Sequence, residues 1–395
     1  MTSPVVAPAR VGRGWIVAYV LAMVGVAAGW FGPIQILLPS QASDIAASGS
    51  LSKEALLSLV SGIGAAASLI ANPIWGAASD RLGKRRPIMI AGTVTGVAGL
   101  AVLAAAESPA VMVLGWVLVQ AGLNGPLAAL AAMLGDRVPE EQRGTVGALF
   151  GVAQIVGVVL GTAVAVAAGD VRIGYLALVV AVPALIASLV ISHRETVVST
   201  TTWARPRFTR VFGWAWLIRF LLNLANALLL VYLFYYLDDR VGVADPGTLV
   251  LIATLINVAF TAVAATIGGI LSDRHRRRRI FIAAGAVLLA TGFVVLALVP
   301  TVPAVLVASG LLGCGWGLFV AVDLAVITGV LPDAESRATM LGVANIAAAL
   351  PQLIAPVIAG VVVTRAGGYP VLYLITAAVA LLGLACLPRL RGSVT

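Results

Sequence analysis

Twelve times along this chain a run of about 20 mostly apolar residues is broken by glycine, proline or charge. The runs lie at roughly 14–38, 54–78, 88–106, 110–134, 145–168, 173–192, 212–237, 248–271, 280–299, 304–331, 339–364 and 371–387. A spanning helix needs about 20 such residues, and in hydrocarbon every backbone group must be satisfied within the segment. Only 10% of the residues are charged and 61% are hydrophobic, whereas a soluble globule is about a quarter charged. The expected fold is therefore all-α and integral to the membrane, with twelve transmembrane helices. The first run follows Arg10 and Arg13 and extends from about Trp15 to Leu38, longer than a signal-peptide core, so it reads as a spanning helix.

The net charge of +9 is confined almost wholly to the connections between runs, which makes it a signal of membrane orientation and not of nucleic-acid binding. Twenty of the 25 Lys and Arg fall on the side that carries both ends of the chain, four (Lys53, Arg172, Arg240 and Arg365) fall on the other, and Arg219 lies inside a helix. The positive-inside rule then puts both termini in the cytoplasm of a cell-membrane protein. Cys314 and Cys386 lie in apolar runs and offer no disulfide framework. The two histidines, His193 and His275, lie in basic connections. With no phosphate loop, zinc spacing or nucleophile–base pair, the sequence gives no sign of an enzyme, a metal site or a cofactor. The lack of an ATPase segment points to transport driven by a gradient or running passively.

One polar string returns. "GAASDRLGKRRP" (76–87) and "GGILSDRHRRRR" (268–279) place Asp80 and Asp273, Gly76 and Gly269, and Arg86 and Arg279 each 193 residues apart. Pro139 and Pro332 keep the same offset. The chain reads as a duplicated six-helix unit: a bundle over 1–192, a cytoplasmic connection over 193–211 and a second bundle over 212–395. Two such halves related by an axis along the membrane normal would leave a cavity between them.

Gly76, Asp80, Arg81, Gly83, Lys84 and Arg85 stand in the order of the signature between helices two and three of the major facilitator superfamily, which the chain resembles over its whole length. The second copy keeps Gly269, Asp273 and Arg274 but has His275 and Arg276 where Leu82 and Gly83 stand in the first. "ANPIWGAASDRLGKRRP", "IRFLLNLANALLLVYLFYYLDD" and "VLPDAESRATMLGVANIAAALPQLIAP" are more narrowly similar to actinobacterial facilitators near the sucrose and glycoside cation symporters. The resemblance implies two pseudo-symmetric six-helix bundles around a central cavity and transport by alternating access. It also implies a gate formed by Gly76, Asp80, Arg81, Gly83, Arg85, Asp136, Arg143, Asp273 and Arg274, with Arg81 and Arg85 expected to pair with Asp136. Two features of drug–proton antiporters in that superfamily are missing: Val117 stands where helix four would carry Arg, and Thr162 follows Gly161 where helix five would carry Gly-Pro.

Two charges lie within spanning helices. Arg219 is about seven residues into helix seven and Asp323 about eight from the end of helix ten, which puts both roughly 11 to 12 Å deep at 1.5 Å per residue. Charges at that depth are functional by default unless they merely pair. Asp323 is therefore the candidate proton carrier, with Arg219 tuning it or binding substrate; the alternative is a permanent salt bridge between the helices. Arg219, Asn223 and Asn226 share one face of helix seven. Gln35, Gln120, Asn124, Asn345 and Gln352, with Tyr232 and Trp316 for stacking, complete the candidate set for a hydroxyl-rich solute. The alternative for the amides is ordinary interhelical hydrogen bonding. The leading expectation is a monomeric proton-coupled symporter of a small polar solute, sugars or glycosides first. An exporter of amphipathic drugs or metabolites and a non-transporting scaffold are the competing classes.

Overall fold

The computed structural model describes residues 10–192, 208–275, 277–331 and 337–390. Among them are twelve helices long and apolar enough to cross a membrane. By contact the chain divides into two compact units, one of Met1–Leu56 with Ile63–Thr201 and the other of Leu57–Gly62 with Thr202–Thr395. The helices up to residue 192 are α1 (Arg13–Ala47), α2 (Lys53–Leu82), α3 (Arg86–Ala104), α4 (Pro109–Asp136), α5 (Glu140–Ala168) and α6 (Val171–Ser192). Those that follow are α7 (Arg210–Tyr235), α8 (Pro246–His275), α9 (Arg278–Leu298), α10 (Val302–Gly329), α11 (Arg337–Arg365) and α12 (Gly368–Cys386). Of the expected connection 193–211, only 208–211 is among the described residues. Arg276 and residues 332–336 of the second repeat also lie outside them.

Two boundaries differ from the sequence reading. The apolar run was expected to end near Leu38, yet α1 continues to Ala47. It does so through a π-helical turn, Pro33–Leu37, in which the Leu38 N–H donates to the Pro33 carbonyl. Widening the helix by one residue lets the chain absorb a proline whose ring would clash in a regular α-turn. The fifth run was expected to begin near residue 145, after the break "VPEEQRG" (138–144), but α5 begins at Glu140. Glu140 and Glu141 occupy its first turn, where negative charge favours the helix dipole.

The two units share four main helix contacts, and in the second α8 also packs closely on α10. α1 packs against α5 and α6, and α3 against α4 and α6; in the second unit α7 packs against α11 and α12, and α9 against α10 and α12. Glycine permits the tightest of these. A Cβ on Gly92 of α3 would fall 2.6 Å from the Gly122 carbonyl oxygen of α4, and a Cβ on its repeat partner Gly285 would fall 2.8 Å from that of Gly315. Lipid supplies no hydrophobic drive between helices, so close backbone approach through small residues takes its place. Gly157 and Gly161 serve the α5–α1 contact in the same way, whereas nothing lies within 4 Å of a Cβ on Gly151.

Candidate functional site: two charge clusters

In the first unit the charges gather where α2, α3 and α4 end. Gly83 terminates α2 in the left-handed conformation, φ +61°, with its N–H donating to the Asp80 carbonyl. A glycine at this position turns the chain without a Cβ penalty. The turn brings Arg85 between two carboxylates: its Nη1 lies 2.7 Å from Asp80 Oδ1, its Nε 2.9 Å and its Nη2 2.8 Å from Asp136 Oδ2. Nη1 also donates to Ser79 Oγ at 2.7 Å. Burial lowers the guanidinium's affinity for its proton, but the bonds to Asp80 and Asp136 more than offset this and leave its pKa above the ordinary value. Both expected arginines were to pair with Asp136; Arg85 does so and Arg81 stays exposed. Arg143 instead donates to the carbonyls of Val138 and Gly135 at the end of α4. Gly76 has nothing within 4 Å of where a Cβ would stand.

The repeat of this cluster is altered. Arg278 holds the position of Arg85, but Gly329 stands where Asp136 does in the first unit. Arg278 donates to the Ala325 carbonyl at 3.1 Å. Arg274 is exposed, and the side chain of Asp273 lies outside the described residues.

The second unit puts its carboxylate–arginine pair within the spanning helices. Arg219 Nη1 of α7 lies 2.8 Å from Asp323 Oδ2 of α10, and the two side chains are only 14% and 16% exposed. Arg219 Nε is buried with no partner. A charge pair drawn out of water gains strong mutual attraction but pays desolvation on both sides, so removing either partner leaves a buried charge uncompensated. Beside the pair is a cavity of about 10 Å³, lined by both ions, by Ile282 and Phe319, and by Leu390 of the turn that follows α12.

The neutral candidates separate into two groups. Asn124 is 2% exposed and fully engaged, its amide donating to Ser68 Oγ and the Gln120 carbonyl at 2.7 Å while its oxygen accepts from Asn72. Gln35 is buried in the π turn of α1 and accepts from Thr162 Oγ1 of α5 at 2.9 Å. Tyr232 is buried against Tyr235, and Asn223 donates back to the Arg219 carbonyl. These side chains tie helices or turns together. Gln120, Asn226 and Trp316 are half-buried, and Asn345 and Gln352 of α11 are exposed. An amide exposed midway along a spanning helix is costly against lipid and is tolerated where it meets water or another polar group. Sequence reasoning passed over Ser79, Ser68 and Asn72; Ser79 stands next to Asp80, while Ser68 and Asn72 are polar residues at i and i+4 on one face of α2, two turns and more before Asp80.

The sequence matches the family model of the Major Facilitator Superfamily over residues 16–259 and 215–393. No protein of curated function matches it. Among solved structures, the fold is similar to the peptide transporter POT in complex with sulfate, with a TM-score of 0.80 and 15% identity over 98% of each chain. It is similar to the nucleoside transporter NupG, with a TM-score of 0.77 and 11% identity over 96% of this chain and 100% of that one. It is also similar to the human organic anion transporter MFSD10 (TETRAN), with a TM-score of 0.68 and 15% identity over 95% and 99%. At such identities the likeness is one of fold.

Proposed function

As a member of the major facilitator superfamily this chain is a multi-pass membrane transporter, and we propose that it moves a small polar solute, a sugar or glycoside first, in symport with protons. The observation that carries the reading is the Arg219–Asp323 pair, 2.8 Å apart within two spanning helices. A carboxylate in that setting has two stable arrangements: ionised against the guanidinium, or protonated and released from it. Protonation and a solute hydrogen-bonding to Arg219 each favour the separated state, so the binding of one helps the other. That mutual help is what symport requires. Arg219 positions the carboxylate, Asp323 carries the proton, and Asn226, Asn345 and Gln352 of the second unit supply donors and acceptors to hydroxyl groups, with Trp316 offering a face for a sugar ring.

The Asp80–Arg85–Asp136 cluster acts as a gate in this scheme. Its bonds join the ends of three helices, so a change in their spacing must break charge-assisted contacts and is resisted until the solute binds. The excess of Lys and Arg on one side supports cytoplasmic termini in the cell membrane.

Uptake of a labelled sugar panel into proteoliposomes, with and without an inward proton gradient, tests the reading. Wild type should accumulate at least one sugar against its gradient, and Asp323→Asn should lose accumulation while retaining exchange. Accumulation that persists unchanged in Asp323→Asn would remove the proton from Asp323. Absence of sugar uptake under every gradient would favour export, with amphipathic dyes as the substrates to try next.

A further inference from the structure

The cavity beside Arg219 and Asp323 lies wholly within the second unit, between α7, α9, α10 and the Leu387–Leu390 turn. Its volume of about 10 Å³ is what one water needs, provided the site offers it two or more polar partners. Ala215, Ile218, Ile282, Phe319, Val326, Ile327 and Leu390 make the rest of the wall apolar, and an apolar void of this size stays dry. Here, however, the wall includes both ions, and Arg219 Nε is a buried donor with no partner. Leaving such a donor unmet is costly, so a water accepting from it and donating to Asp323 satisfies the chemistry of both groups.

The turn that closes the cavity is held from two sides. Leu390 is fully buried and Leu387 is 7% exposed. Between them, the Arg389 guanidinium carbon lies 4.6 Å above the Trp214 ring of α7, within the range of a cation–π contact. Leu390 thus forms one wall of the cavity, on the side of the unit that the charge pattern assigns to the cytoplasm.

We infer that this cavity is a single-water site bridging Arg219 and Asp323, and that the Leu387–Leu390 turn is its lid. Through this site Asp323 meets solvent inside the second unit. When a protonated Asp323 gives up its proton, the O–H bond breaks, the water accepts the proton, and the carboxylate is left paired with the Arg219 guanidinium. That last step rests on the proposed role of Asp323; the water site does not.

X-ray radiolytic footprinting of the full-length protein in detergent, read residue by residue by mass spectrometry, tests the site. Phe319 and Phe293 are both buried, at 2% and 0% exposure, but only Phe319 lines the cavity. A water held against Phe319 should give it hydroxyl-radical modification about tenfold faster than Phe293. Ala215→Leu, which fills the space, should bring Phe319 down to the Phe293 level, and Leu390→Ala, which lifts the lid, should raise it further. Because Ala215→Leu can overpack the helix, the wild-type comparison and Leu390→Ala carry the test if that variant does not fold. Equal labelling of the two phenylalanines in the wild type overturns the water site, and unchanged Phe319 labelling in Leu390→Ala overturns the lid. Modification of Asp323 by dicyclohexylcarbodiimide, followed from acidic to alkaline pH, separates this inference from the proposed function. A carboxyl that reacts as pH falls, beside an unlabelled Phe319, would sink the water and leave the proton carrier standing. A labelled Phe319 beside a carboxyl that never reacts would do the reverse.

Discussion

The two units share a duplicated sequence but hold their second and fourth helices together in different ways. In the first, α2 meets α4 through side chains: Asn124 takes Ser68 and Asn72, and Trp75 Nε1 donates to the Ala121 carbonyl at 2.7 Å. At the repeat positions of Gln120 and Asn124 the second unit has Gly313 and Gly317. There α8 and α10 come into backbone contact, and Thr261 Oγ1 donates to the Gly313 carbonyl at 3.1 Å. The first contact is spaced and polar, the second close and glycine-lined. The charges diverge as well. The first unit keeps its Arg–carboxylate cluster at the helix ends, while the second has Gly329 in place of Asp136 there and carries a pair within the spanning helices. The repeat position of Asp323 is Leu130, so no equivalent deep pair exists in the first unit. Duplication supplied a symmetric scaffold, and a few substitutions made one half the seat of a buried charge.

Breaking the buried pair should have the largest effect. Asp323→Ala leaves Arg219 uncompensated, and the expected loss is about 3 to 5 kcal/mol of stability, read as a lowered midpoint of thermal unfolding in detergent. Arg219→Met combined with Asp323→Leu should recover most of that loss. A double variant no more stable than Asp323→Ala would mean that packing, not charge, fixes the site. Next come the paired glycines. Gly92→Val and Gly285→Val should each cost about 1 to 3 kcal/mol by overpacking, and the same thermal measurement should find them alike. A tolerated substitution in one unit alone would break the equivalence of the α3–α4 and α9–α10 contacts.

The helix-end arginines should differ. Arg85→Ala strips two carboxylates of their partner, and about 1.5 to 3 kcal/mol is expected for hydrogen bonds to charged groups. Among the described residues Arg278→Ala removes one bond, to a carbonyl, with about 0.5 to 1.5 kcal/mol expected. Equal losses would show that the first cluster gains nothing from its carboxylates. The smallest effect sharpens the contrast most directly. A Cβ on Gly329 would stand 3.7 Å from Arg278 Nη1, so Gly329→Asp should rebuild the lost pair and stabilise by up to about 1 kcal/mol. A destabilised Gly329→Asp would mean that the second unit cannot hold a carboxylate at that helix end.

Much of this was readable in the sequence because it depends on near neighbours or on the solvent. Length and hydropathy fix a spanning helix, since hydrocarbon leaves the backbone no other partner, and the offset between Asp80 and Asp273 exposed the duplication. The intramembrane charges Arg219 and Asp323 stood out by their depth alone. What the sequence could not decide was which neighbour each polar group would find. Arg85, not Arg81, takes Asp136 because the left-handed turn at Gly83 sets the direction in which the following residues point. Asn124 and Gln35, legible as solute ligands, are bound to Ser68, Asn72 and Thr162 from other helices. The first apolar run was read as ending near Leu38, but α1 continues through the π turn Pro33–Leu37 to Ala47. Composition and period determined the helices and their number. Only the packing of one helix on another decided which polar atoms are engaged and which stay open, because a hydrogen bond is fixed by a few ångströms that no spacing along the chain encodes.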